Sequence, residues 1–561
     1  MKYVCKNLSS LEKCLFTDKI DSFSSIESIS ALKNEKINFQ IAYTVLHQEL
    51  RDKVPLFFKF DSELEEFIKV YKVEHVACRF PIYRNTDKED YMIESGQMVP
   101  DILEEYDKED NVYFVPDTLQ TLWVEVDLEK NDKFKGLHEI AYSFYNKEGD
   151  LVLDNSIKIE IIDKKLESQD LIFTQWFHGD CLASYYNIDF LSDQHFSIMK
   201  DFLKTAKEYG VNAILTPVLT PPLDTKIGGE RPTMQLVKVE VTKGGYKYDY
   251  SLLDRWVDMC LEIGFEYFEI SHFFTQWGAK HAPKVMALVD GKERRIFGWD
   301  TDATSKEYIS FLRDFISNLL KYLKNKGIDK KCFFHISDEP KETTLDNYLA
   351  AKNSIIDLLD GYLVTDALSD IEFYEKKVVS NPIPATDKIH KFIDKEVKDL
   401  WAYYCGGQNR LVSNRFIAMP AYRNRIIGLQ LYKYHIKGFL HWGYNFYYNQ
   451  FSRKLLNPFM INDGDFFTPS GDAYSVYPGF DRKPLKSTRL LVFNEALTDM
   501  RAFKTLEKLS SYEEVMSLIE DELDKTNNFD EITFYQYPQN TSYLLNLRHK
   551  VNKAIKDKLE G

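Results

Sequence analysis

Up to about residue 165 the apolar residues come in short or alternating runs separated by polar turns, the pattern of β-strands with one buried face. Residues 38–45, Asn38-Phe39-Gln40-Ile41-Ala42-Tyr43-Thr44-Val45, and 156–162, Ser156-Ile157-Lys158-Ile159-Glu160-Ile161-Ile162, are examples, and Glu148-Gly149-Asp150 is a turn signal between such runs. An antiparallel β-sandwich over 1–165 is the natural way to bury one face of each strand. Beyond Asp163-Lys164-Lys165 the period lengthens, and helical windows alternate with short apolar runs. Helices are predicted over 192–209, 252–263 and 308–326, each stopped by a glycine (Gly210, Gly264, Gly327) and followed by a strand over 211–217, 267–272 or 332–337. Further strands are predicted over 361–367 and 438–445. From Lys486 the chain is amphipathic and charged, with helices predicted over 490–509 and 542–559. Alternating β/α units over 166–500 predict a parallel barrel whose strand ends converge on one mouth, and 501–561 a mainly helical extension packed on it.

Composition narrows the classes of partner. At 561 residues the chain is too long for one ordinary core, and 44% hydrophobic with 28% charged residues suits a folded globular protein. A net charge of −15 without a Lys/Arg block disfavours nucleic acid and anionic membrane surfaces, and leaves neutral substrates as the better fit. The seven cysteines are scattered without metal-ligand spacing, so they read as reduced, mostly buried thiols. The first residues lack the apolar core of a signal peptide and no window is long and apolar enough for a membrane span, which makes the cytoplasm the expected compartment. No cofactor and no metal are expected: HExxH, Walker A, GxSxG and GxGxxG patterns are missing, and Asp463-Gly464-Asp465 lacks the spaced oxygens of a calcium loop.

The aromatic content is high, 14%, with 35 Tyr and 39 Phe, which serves a core and also suits stacking on sugars. The sharpest chemistry is in Phe333-Phe334-His335-Ile336-Ser337-Asp338-Glu339-Pro340, an apolar run that ends in two adjacent acids. Adjacent carboxylates repel and push one pKa up, so one can hold a proton for general acid catalysis. The plainer alternative is an acid pair capping a helix that starts at Pro340. Neighbours in sequence do not easily straddle a glycosidic bond at the roughly 5 to 9.5 Å of a conventional pair. They suit substrate assistance, with a 2-acetamido oxygen as nucleophile, one acid on the leaving oxygen and the other on the acetamido N–H.

Other strand ends supply candidate sugar contacts. Glu269, His272, Gln276 and Trp277 fall within one strand end and loop, although a lone histidine such as His272 is as readily a core residue. Arg231 follows a Pro- and Gly-rich loop that runs through Asp224 and offers a planar donor fork; the alternative is a structural ion pair with Glu230. Trp442 and Asn445 lie in His441-Trp442-Gly443-Tyr444-Asn445-Phe446-Tyr447. Trp176 with His178, and Trp401, Tyr403 and Tyr404, are candidates for further walls.

These motifs, together with Pro221-Pro222-Leu223-Asp224-Thr225, Glu230-Arg231-Pro232-Thr233, Phe273-Phe274-Thr275-Gln276-Trp277-Gly278-Ala279 and Gly471-Asp472-Ala473-Tyr474, lie in order over about residues 170–505 and resemble glycoside hydrolase family 123. The resemblance implies an N-terminal β-sandwich, a (β/α)8 barrel of the TIM type and β-N-acetylgalactosaminidase activity by substrate-assisted retention through an oxazoline-like intermediate. By motif position it implies Glu339 as acid/base and Asp338 as the residue that orients the acetamido group. The expected partner is an oligosaccharide or glycoconjugate ending in β-linked N-acetylhexosamine, galacto-configured by resemblance alone. The alternatives are a β-N-acetylglucosaminidase, a conventional glycosidase pairing Glu269 with Glu339, and a non-catalytic glycan-binding barrel.

Overall fold

The computed structural model describes residues 2–46, 52–82, 91–521, 523 and 529–561. The N-terminal region forms two sheets, one of seven strands and one of five. The alternation noted above explains how they meet. On strand Lys36–Leu46, Ile37, Phe39, Ile41, Tyr43 and Val45 enter a core shared with Ile140, Tyr142, Phe144, Ile157 and Ile159 of the five-stranded sheet. The other face of the same strand is polar yet buried, so its groups are paired: Gln40 donates to the carbonyls of Ser9 (3.0 Å) and Glu12 (2.7 Å), and Asn38 accepts from the Trp123 indole at 3.0 Å. The seven-stranded sheet is antiparallel throughout; the five-stranded sheet carries one parallel pair, Ser28–Leu32 beside Leu151–Ile162.

Eight parallel strands follow: β1 Ile172–Gln175, β2 Ala213–Thr216, β3 Tyr267–Ile270, β4 Cys332–Phe334, β5 Leu363–Ala367, β6 Asn381–Ile383, β7 Trp401–Tyr403 and β8 Gly438–His441. Their order, β6-β5-β4-β3-β2-β1-β8-β7, leaves β6 and β7 as edges, and a single parallel bridge from Ala385 to Tyr403 nearly closes the barrel. The helices between strands bury one face against it. Lys306–Lys326 begins at Ser305, whose hydroxyl accepts from the Tyr308 amide, and stops at Gly327, whose φ of 74° suits a residue without Cβ. Gly438 serves a different need, since a Cβ there would lie 2.0 Å from the Trp401 ring on β7. Strands β6 and β7 escape the sequence pattern because each has three residues, and β6 has Pro382 at its centre and Pro384 directly after it.

Two further features were not predicted. The loops after β2 and β3 together build a four-stranded sheet, Lys238–Thr242, Gly245–Asp249, Val285–Val289 and Lys292–Phe297. The segment after the barrel contributes two strands, Val476–Pro478 and Pro484–Ser487, to the N-terminal seven-stranded sheet, with Lys486 opposite Leu103. Arg489 then grips Asp101 with two nitrogens at 2.8 and 2.9 Å, both residues being buried. Helix Thr488–Leu509 runs across residue 500 and packs on helix Ile427–Lys433 and on Thr541–Glu560. Among the described residues no helix is long and apolar enough to cross a membrane, and all seven cysteines are free.

Candidate active site

At the C-terminal ends of the barrel strands lies a cavity of about 280 Å³, lined by residues from the loops after β1, β2, β3, β4, β7 and β8. Asp338 and Glu339 both face it. Consecutive residues of a strand point to opposite sides, so their shared direction needs a break in the extended chain. Strand β4 ends at Phe334, and Glu339 sits in the left-handed region with φ 43°. Neighbours on both sides hold this turn: the Trp277 amide donates to the Asp338 carbonyl at 2.8 Å, the Glu339 amide donates to the Ala367 carbonyl at 3.0 Å, and the Ser337 hydroxyl donates to the Thr275 carbonyl at 2.8 Å. Left-handed backbone also occurs at Asp224, Trp277 and Phe451, all lining the same cavity. Strained backbone of this kind persists where surrounding contacts enforce it. Neither acid caps a helix: the next helical turn starts at Glu342, after Lys341, and the helix Leu345–Asn353 has no side-chain cap.

Beneath the pair, His335 is fully buried between two carboxylates. Its Nε2 donates to Glu269 at 2.7 Å and its Nδ1 lies 3.5 Å from Asp366. Burial alone would push this imidazole down, but Asp366 and Glu269 outweigh it and raise it to about 10, so the ring is a cation at neutral pH. Asp338 is held well above the ordinary carboxylate range, first by desolvation and then by the Glu339 charge, while the His335 cation pulls it back. The Tyr403 hydroxyl donates to Glu339 Oε1 at 2.9 Å.

Of the ten site residues proposed from sequence, six line the cavity: Asp338, Glu339, Gln276, Trp277, Tyr403 and Trp442. Gln276 does so with its amide already engaged, accepting from the Asp224 amide at 2.7 Å and donating to the Thr225 carbonyl at 3.1 Å. Arg231, Glu269, His272 and Asn445 stand behind the wall. Arg231 forms a two-nitrogen ion pair with Asp180 (2.7 and 3.0 Å) and donates to His178 Nδ1 at 2.8 Å; its partner is Asp180 rather than Glu230, which instead meets Lys284 and Arg295. Glu269 is saturated by Thr174 (2.5 Å), Trp176 (2.7 Å) and His335. His272 stacks on the His335 ring at 4.4 Å, and Asn445 uses both amide atoms on the His178 backbone.

The cavity also contains two acids that lie in the sequence motifs but have no role apparent from the sequence. Asp472, pushed up to about 7 by burial, accepts from the Trp442 indole at 3.0 Å and so fixes that ring. Asp224, pushed up to about 6 by burial, accepts from the Phe451 amide at 3.0 Å and ties the loop after β2 to the loop after β8. Each follows a Gly- or Pro-rich turn, which was the available signal. Burial and Arg231 lower His178 to about 3; it donates from Nε2 to the Trp442 carbonyl, so its neutral tautomer is set on both sides. Among the described residues no group of three or more His, Cys, Asp or Glu is placed to hold a metal ion.

A nearly closed parallel barrel that presents paired carboxylates and indole rings in one cavity at its C-terminal mouth has the architecture of a barrel glycosidase. Residues 176–506 match the glycoside hydrolase 123 catalytic domain. The chain belongs to glycoside hydrolase family 123 and is a glycosidase. Over its full length it is similar in fold to a family 123 glycoside hydrolase from Clostridium perfringens, solved in a study of glycolipid glycan hydrolysis, with 15% identity, TM-score 0.72, and 100% of this chain and 98% of that chain covered. More distant in shape are a β-glucuronidase from Parabacteroides merdae (11% identity, TM-score 0.32, 88% and 51% covered) and an endo-β-1,4-mannanase from Thermotoga petrophila (10%, 0.34, 60% and 77%). No curated protein matches the chain.

Proposed function

We propose that the protein is a retaining exo-glycosidase that removes terminal β-linked N-acetylgalactosamine, with the substrate's own acetamido oxygen as nucleophile. The observation that carries this is the turn at Glu339, which sends two successive carboxylates into one cavity. The glycone occupies the space between Trp277 and Trp442, and about 280 Å³ suits one terminal ring better than a chain of them. Glu339, steadied by Tyr403, gives its proton to the glycosidic oxygen as the C1–O bond breaks. Asp338 accepts the acetamido N–H and aligns the carbonyl oxygen, which closes on C1 to give an oxazoline. Water then opens the ring, with Glu339 taking its proton, and β-configuration is restored. Substrate also settles where the proton of the pair resides: the N–H donor favours ionised Asp338 and leaves the proton on Glu339. Charge on Asp338 helps most in the transition state, where the acetamido nitrogen gains positive character.

The conventional pairing of Glu269 with Glu339 is disfavoured because Glu269 is buried and has three donors on its two oxygens. Galacto preference rests on family membership, and the N-terminal sheets and the barrel serve as a β-sandwich support and a (β/α)8 scaffold. The test is a panel of paired aryl β-glycosides, 2-acetamido and 2-hydroxy, in galacto and gluco forms. Turnover confined to the 2-acetamido galactoside supports the proposal, and equal turnover of the 2-hydroxy partner refutes substrate assistance.

A further inference from the structure

Glu339 and Tyr403 line a second space as well, an open groove of about 470 Å³ beside the cavity. Its walls come from the loops after β4, β5 and β6 and from Tyr403 at the end of β7, and they differ in charge from the cavity. The cavity contains Asp224, Asp338, Glu339 and Asp472 and neither Lys nor Arg. The groove contains Lys341, Lys388 and Lys391 against Asp370 and the shared Glu339. Lys388 lies 3.7 Å from Asp387, whereas Lys341 and Lys391 meet no carboxylate at ion-pair distance among the described residues. In a chain of net charge −15, three lysines gathered from two loops around one groove form a local exception.

The position of Glu339 decides what the groove holds. A general acid must reach the oxygen of the departing group, so a glycone in the cavity has its leaving group start beside Glu339, and the groove is a second space that Glu339 lines. On the footing of the glycosidase function above, we propose that this groove is the leaving-group subsite and that it selects an anionic sugar, one carrying a carboxylate or a sulfate ester, through Lys341, Lys388 and Lys391. A neutral ring bound in the acidic cavity and an anionic ring bound in the basic groove fit the two halves of the site, and the reversed placement sets like charges against each other.

Three disaccharide glycosides test this, each with β-N-acetylgalactosamine on O4 of a methyl β-glycoside that differs only at C6: glucuronide, 6-O-sulfoglucoside or glucoside. At low salt the charged members are expected to exceed the neutral one by about tenfold in kcat/KM, and the advantage to collapse towards unity at roughly 0.5 M NaCl. In the Lys341→Ala/Lys391→Ala double variant the charged-to-neutral ratio is expected to fall to about one. The sulfate and carboxylate arms show which anion is preferred. Equal rates for all three substrates, or an advantage that survives both salt and the double variant, overturn the proposal. A separate arm measures binding of methyl β-glucuronide to the intact protein by saturation-transfer NMR. If no acetamido galactoside is cleaved, the glycosidase function itself fails, and salt-sensitive binding that needs the lysines still upholds the anion-binding groove, while its absence overturns it.

Discussion

Tyr403 and Glu339 are joined by a 2.9 Å hydrogen bond from the phenol to the carboxylate, and these are the two residues that face both the cavity and the adjoining groove. The bond fixes the rotamer of the proposed acid at the boundary between glycone and leaving group. A hydrogen bond to a charged group is worth about 1.5 to 3 kcal/mol, so Tyr403→Phe should lower kcat/KM by about 10- to 100-fold on substrates with poor leaving groups. Steady-state rates on an alkyl and a dinitrophenyl glycoside check this. The loss should be smaller on the dinitrophenyl substrate, which needs little protonation.

The two acids should separate by leaving group. Glu339→Gln is expected to lose about 10²- to 10⁴-fold on poor leaving groups and to keep much of its rate on activated aryl glycosides. Asp338→Asn should lose about 10²- to 10³-fold on both, because the acetamido group is no longer aligned or stabilised. A Brønsted plot of log kcat/KM against leaving-group pKa for the two variants shows the division: steep for Glu339→Gln, close to wild type for Asp338→Asn.

His335 gives the site a pH signature in stability. Its folded value of about 10 lies above the ordinary 6.5, so its contribution is complete below pH 6.5 and is lost as pH rises through about 10. Glu269→Gln removes one of the two carboxylates that hold the proton. The wild type should therefore exceed the variant in unfolding free energy most clearly near pH 6, with the gap narrowing by pH 9.5. Urea unfolding at several pH values measures the gap.

Arg231 and Asp180 are both buried, and removing one partner of a buried ion pair costs about 3 to 5 kcal/mol. Arg231→Met should lower thermal stability sharply, with activity at low temperature lost less than stability. A variant of wild-type stability with only a raised KM would instead make Arg231 a direct sugar contact.

The apolar periods and their stops made the principal barrel strands and long helices legible, because a glycine such as Gly327 ends a helix whatever the tertiary context. The pairing of Pro484–Ser487 with the N-terminal sheet was not legible, since it depends on a strand nearly four hundred residues away. In the site, Asp338 and Glu339 could be seen because an apolar run delivers them together. Arg231, Glu269, His272 and Asn445 have the residue types of sugar contacts, and whether such groups face a ligand or brace the wall is set by partners such as Asp180 and His335, which sequence spacing does not reveal. Asp472 and Asp224 had the opposite fate: plain acids in turns, they gained a place in the cavity from loops that converge only in three dimensions.

The most direct test concerns the nucleophile. Aryl N-acyl-β-galactosaminides bearing acetyl, fluoroacetyl, difluoroacetyl and trifluoroacetyl groups differ mainly in the electron density on the carbonyl oxygen. If that oxygen attacks C1, kcat/KM falls with each fluorine, by about 100-fold or more across the series. Rates that stay within about twofold across it would contradict substrate assistance and require a nucleophile from the protein or from water.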